Sequence, residues 1–211
     1  MKNNYLCKKI SGDIEINGDL NKEIWASANE ATLLETVSGK EPKQRTTFKA
    51  LWNEKFLYVG FACEDNYINA TLTSYNDPIY NEDVVEVFID ENNDKKSYTE
   101  IEVSPLNTVL HYLIHNNLAG EIACFARIDK IVKSAVLINN LSKTWCVEIQ
   151  IPFSEFVLAK NHPPLPGDEW GVNFYRIEKS EDGSEEYSAF CPTGLINFHK
   201  PECFGKLVFA E

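Results

Sequence analysis

Positive charge is scarce in this chain. Its 211 residues carry 20 Lys and Arg against 32 Asp and Glu, a formal net charge of −12. A partner with a phosphate backbone or an anionic membrane surface selects basic proteins, so neither nucleic acid nor membrane is expected. Methionine occurs once, at position 1, which leaves no Met/His pair for the haem ligation used by some sandwich cytochromes. The six cysteines (7, 63, 124, 146, 191 and 203) form no CxxC pair and no zinc-like spacing. Free thiols are therefore expected, with Cys63 and Cys146 acting as small hydrophobes inside strand-like runs. Met1 to Leu20 is interrupted every few positions by polar or charged residues and lacks the apolar run of a signal peptide. Together with free thiols, this reads as a cytoplasmic chain as it stands, or an extracellular one from which a signal has been removed. There is no internal repeat and no low-complexity segment.

Strands are abundant. With 44% hydrophobic residues, residues 1–211 suffice for one well-buried domain. Phe48–Trp52 and Phe56–Cys63 read as a hairpin around Asn53, Glu54 and Lys55, rich in aromatic and β-branched residues. Further strands are expected at Val109–His115, Ala123–Ile128, Ser134–Ile138, Trp145–Ile151, Gly171–Ile177, Tyr187–Phe190 and Gly205–Phe209. Pro163, Pro164, Pro166 and Gly167 impose a loop before Trp170. One short N-terminal helix is expected over Asp19–Ala28, where Leu20, Ile24 and Ala28 recur every four residues and Trp25 plugs an edge of the core. The pattern predicts an all-β fold, a two-sheet antiparallel β-sandwich, with a barrel as the structural alternative. Either form requires the first and last segments to pair at long range.

The most informative segments are Tyr80–Asp90 (YNEDVVEVFID) and Tyr98–Asn107 (YTEIEVSPLN), joined by the polar turn ENNDKK. Side chains alternate between faces along a strand. Val85, Val87 and Ile89 therefore share one face with Ile101 and Val103, while Glu86, Glu100, Glu102 and Ser104 share the other. Burial of the apolar face against a second sheet turns the carboxylates to the outer surface.

Seven segments in order resemble the family 9 carbohydrate-binding modules and their stand-alone relatives. They are Ile16–Ala28, Leu51–Asp65 (LWNEKFLYVGFACED), Asn81–Asp90, the YTEIEVSPLN strand, Trp145–Phe156 (WCVEIQIPFSEF), Trp170–Glu178 (WGVNFYRIE) and Phe198–Phe209 (FHKPECFGKLVF). The resemblance implies a jelly-roll-like sandwich that binds a sugar unit without cleaving it. It also implies a clamp of two aromatic side chains, which fall here at Tyr80 and Phe198, positions often occupied by tryptophan in relatives. Motif position and parity add Glu86, Glu102, Ser104, Asn173, Tyr175 and Arg176 as partners for the hydroxyl rim. A regular strand presents only one of Tyr175 and Arg176 to the ligand. Those relatives that bind sugar through a basic side chain at the position of Glu102 differ from this chain there, and Arg176 is a candidate to restore that charge.

The chemistry suits a pyranose, whose C–H faces meet rings and whose hydroxyls meet carboxylates and amides. About 100 Å² of hidden apolar surface supplies about 2.5 kcal/mol. Dissociation constants between millimolar and micromolar require roughly 4 to 8 kcal/mol, so polar contacts must add the rest.

Other readings stand beside this one. A small hydrolase using Glu86 and Glu102 is one, since carboxylates at i and i+2 on a strand fall within the broad range of glycosidase pairs. A protein-interaction domain on the same fold is a third reading. No cofactor is required, but Asp90, Glu91, Asn92, Asn93 and Asp94 offer oxygen ligands for a structural calcium, without the glycine of an EF-hand loop. His111 and His115 are expected to satisfy local hydrogen bonds.

Overall fold

A computed structural model describes residues 3–211. In chain order the strands are β1 (Asn4–Lys9), β2 (Glu30–Thr32), β3 (Leu34–Glu35), β4 (Thr46–Trp52), β5 (Phe56–Glu64), β6 (Val84–Asp90) and β7 (Ser97–Val103). They continue with β8 (Val109–Asn116), β9 (Ile122–Ala126), β10 (Lys133–Asn139), β11 (Thr144–Pro152), β12 (Glu169–Lys179), β13 (Glu185–Ala189) and β14 (Gly205–Ala210). The only helical elements among the described residues are four short 3₁₀ turns.

The strands form a β-sandwich whose hydrogen-bonded path is continuous, in the order β10-β11-β5-β4-β1-β14-β12-β6-β7-β8-β9. All neighbours along it are antiparallel except at β1, which runs parallel to both β4 and β14. The long-range pairing of first and last segments thus takes the form of a parallel seam, with Asn4 opposite Lys206 and Lys8 opposite Leu51.

The sequence supplies each layer with one apolar face. Val85, Val87, Ile89, Ile101, Val103, Val172 and Phe174 face Phe48, Val59, Phe61, Trp145 and Val147 across the main core. Phe48 and Phe174 stack at 4.0 Å between the layers. Two smaller clusters cover the outer faces. Ile14, Ile16 and Trp25 pack on Leu51 and Tyr58 of one layer, while Ile79, Phe198 and Phe204 pack on Phe88, Tyr98 and Tyr175 of the other.

The expected helix at Asp19–Ala28 is instead a 3₁₀ turn over Glu23–Ser27. So short a segment cannot repay α-helix nucleation on its own. It is also pinned by tertiary contacts, because Trp25 is fully buried and its Nε1 donates to Glu148 Oε1 at 2.7 Å. The acidic hairpin is shorter than its sequence pattern. Ile79–Asn81 is a 3₁₀ turn ahead of β6, and after β7 the chain turns at Ser104, whose N–H bonds Thr108 O at 3.0 Å.

Candidate ligand-binding site

Register and parity build the site on the outer face of β12-β6-β7-β8. Glu86 lies opposite Glu102 and Tyr175, and Phe88 lies opposite Glu100 and Asn173. Glu86, Phe88, Glu100 and Glu102 floor a cleft of about 370 Å³. Its walls include Tyr80 from the turn before β6, Tyr112 of β8, Tyr187 of β13, and Phe198 in the loop before β14. Tyr80 is 45% exposed, whereas Phe198 is only 9% exposed. One face of the Phe198 ring is covered by Tyr175, stacked at 4.0 Å with planes 12° apart. Tyr80 and Phe198 thus meet at one cleft, with Phe198 held as part of its wall.

The carboxylates are not on a solvated surface, as the sequence pattern suggested. Glu86, Glu100 and Glu102 are each 5% exposed or less, because the 79–81 turn and the 196–199 loop roof the floor. One oxygen from each of the three lies within 4.8 Å of the others. Burial, then repulsion from neighbouring carboxylates, holds Glu86 and Glu102 well above the usual carboxylate range. Burial pushes Glu100 up to about 7, against the opposing effect of its hydrogen bond with Glu102. Glu102 Oε2 is buried without a hydrogen-bond partner. Among the described residues, no Lys or Arg lines the cleft. Its one imidazole, His199, is held down to about 4 by burial and is neutral at ordinary pH.

The other sequence candidates divide. Asn173 and Tyr175 lie beneath the site. Asn173 Nδ2 donates to Tyr175 Oη at 2.7 Å and to Cys191 O at 2.9 Å, and Tyr175 Oη donates to Phe198 O at 3.0 Å. Together they brace the aromatic wall from below. Ser104 does not line the cleft; its hydroxyl accepts from Thr108 N at 3.3 Å within the turn. Arg176 points into the sandwich interior, as alternation along an unbroken β12 requires once Tyr175 faces the cleft. There it pairs with Asp65 at 2.9 Å, donates to Glu64 O at 2.7 Å and lies over Trp145. The guanidinium therefore does not restore a positive charge at Glu102.

The turn considered for calcium folds back on itself. Asp90 accepts the N–H groups of Asp94 and Lys95, and Asp94 accepts those of Lys96 and Ser97. Among the described residues, the one group of three or more acidic, His or Cys side chains whose ligand atoms converge is the glutamate trio of the cleft, not this turn. His115 Nδ1 lies 3.2 Å from Ser97 Oγ, and buried His111 Nε2 lies 3.1 Å from Glu155 Oε1.

Sequence reasoning missed Phe88, Tyr112, Tyr187 and His199 as parts of the cleft. Tyr112 was within reach of parity, since it falls opposite Glu100. Tyr187 reaches the site from β13, opposite Ile177 of β12, a pairing the sequence does not show, and His199 reaches it from a loop, for which the sequence has no periodic signal.

Fold and site together define a β-sandwich module with an aromatic-walled, carboxylate-floored cleft on one outer face. The chain belongs to the Carbohydrate family 9 binding domain-like family, whose profile matches residues 16–211. It is 26% identical over 188 residues to an "Extracellular protein" of Arthroderma benhamiae, covering 82% of each chain. It is 35% identical over 189 residues to endo-1,4-beta-xylanase A of Thermotoga maritima, a match covering 88% of this chain but 15% of that enzyme. A family 9 carbohydrate-binding module from Caldicellulosiruptor kristjanssonii, solved with cellotriose, shares the fold with a TM-score of 0.67 at 20% identity, covering 99% of this chain and 94% of that one. No helix among the described residues is long and apolar enough to cross a membrane.

Proposed function

We propose that the chain is a non-catalytic carbohydrate-binding module that holds a sugar unit in this cleft. The observation that carries the reading is the convergence of Tyr80 and Phe198 over a floor of buried carboxyl groups. Aromatic walls suit the apolar faces of a pyranose and the carboxyls suit its hydroxyl rim. Family membership and the cellotriose-bound relative favour the same class of ligand. Asn173 and Tyr175 act as positioning residues, fixing the backbone that carries Phe198.

A hydrolytic use of Glu86 and Glu102 is less well supported. Glycosidase pairs work because their environments separate one ionised group from one protonated group. Here burial drives all three glutamates upward together. The test is calorimetric titration of the whole chain with glucose, cellobiose and cellotriose, alongside chromatography of the same mixtures. Saturable binding without product release is expected and is weakened by Tyr80→Ala. Binding unchanged in Tyr80→Ala would remove the clamp, and released product would restore the hydrolase.

A further inference from the structure

Three buried glutamates with no counter-charge make an unusual floor for a cleft that takes only neutral sugars. Hydroxyl groups can bond to carboxyls, but they bring no charge that would favour ionising three groups whose oxygens lie within 4.8 Å of one another. The described residues supply no cation there, since the lining contains no Lys or Arg and His199 is neutral. Elsewhere it does neutralise buried carboxylates, with Arg176 on Asp65 and Lys22 on Glu148. Where buried Asp83 and Asp90 lack a salt-bridge cation, backbone N–H groups donate to them instead. Glu102 Oε2, on a residue 1% exposed that lines the cleft, is a buried acceptor with no partner.

We propose that the sugar unit recognised here carries a protonated primary amine, and that the ammonium sits on Glu86, Glu100 and Glu102 while the ring lies against Tyr80 and Phe198. The inference rests on the carbohydrate-binding reading and narrows it to amino sugars with a free amine. An ammonium has three N–H donors, one for each carboxylate, and gains further from the faces of neighbouring aromatic rings. A hard metal ion would take six or more oxygens. The walls offer few: they are largely aromatic and aliphatic, and Asn197 Oδ1 already accepts the N–H of His199. Acetylation of the sugar nitrogen would remove both its charge and its fit.

The test is calorimetric titration of the whole chain, at mildly acidic pH, with the β-1,4-linked dimer of glucosamine, its N-acetylated counterpart, and cellobiose. The amine dimer is expected to bind about tenfold or more tightly than either neutral dimer. Glu102→Gln, an isosteric change, is expected to erase that ratio. If that variant does not fold, as judged by circular dichroism, Glu86→Gln reads the same ratio. Cellobiose binding as tightly as the amine dimer would overturn the proposal and leave the carbohydrate-binding reading standing. No binding of any dimer would overturn both. Binding that disappears on chelation and returns with added calcium or zinc would also overturn it, assigning the floor to a metal ion.

Discussion

Both outer faces of the sandwich bury carboxylates, and the two treat them in opposite ways. On the β5-β11 side Glu148 is fully buried, yet its oxygens are met by Trp25 Nε1 at 2.7 Å, Lys22 Nζ at 2.5 Å and the N–H groups of Asn17 and Gly18 at 2.8 and 2.9 Å. The N-terminal segment is latched down by that one side chain. On the β6-β7 side three glutamates are buried just as deeply, with no cation beside them. A buried charge with every lone pair matched serves the fold, whereas unmatched charge lowers stability until something binds. The interior pair of Arg176 and Asp65 belongs with Glu148, since its partners are also built in.

The contrast can be broken at several points. Arg176→Ala leaves Asp65 buried against Trp145 without its cation and is expected to cost about 3–5 kcal/mol in urea unfolding. A near-neutral result would move Arg176 out of the structural class. Glu148→Ala orphans the Trp25 indole and two backbone donors and is expected to cost about 3 kcal/mol by the same measurement. Tyr80→Ala touches neither network, so stability should change by less than about 0.5 kcal/mol, while calorimetry should show affinity for the bound sugar falling about tenfold.

The smallest effect has the opposite sign. Glu100→Gln is expected to stabilise the ligand-free protein by about 1 kcal/mol near pH 8 and to make little difference near pH 4, as read by thermal melting. The folded state raises Glu100 to about 7 from an ordinary value of 4.5, so it holds this proton more tightly than the unfolded chain does. The stability from that proton is complete below the unfolded value and is lost as pH rises through about 7. Asp83, also raised to about 7 by burial, tilts the parent's profile the same way, so the difference between parent and variant is the quantity to compare. A variant curve parallel to the parent's would show that Glu100 is not under charge stress.

Where a residue's neighbours are local, the sequence was a good guide. Alternation alone put Val85, Val87 and Ile89 in the core, and placed Glu86, Glu100 and Glu102 together on the opposite face. It could not show that this face is roofed, because beside the neighbouring 79–81 turn the roof is completed by residues 196–199, more than ninety positions away. Alternation also required Tyr175 and Arg176 to part, but which of them faced inward depended on Asp65, 111 residues distant. β1, β2 and β3 were not expected, since such short or mixed stretches have little period-two signal of their own. The resemblance of the motifs brought Tyr80 and Phe198 to one cleft. It did not foresee that Asn173 and Tyr175 lie under the wall, because the motif gives strand membership without depth.

The parallel seam at β1 has a consequence in time. Residue 4 pairs with residue 206, so a strand made early on the ribosome waits for one made roughly two hundred residues later before the two layers can be joined. Contacts of such long span are slow to form, because the chain between them must be ordered first. Until β14 arrives, the inner faces of both layers are open to water and to other chains, and the interval before closure is when this molecule is most exposed to aggregation.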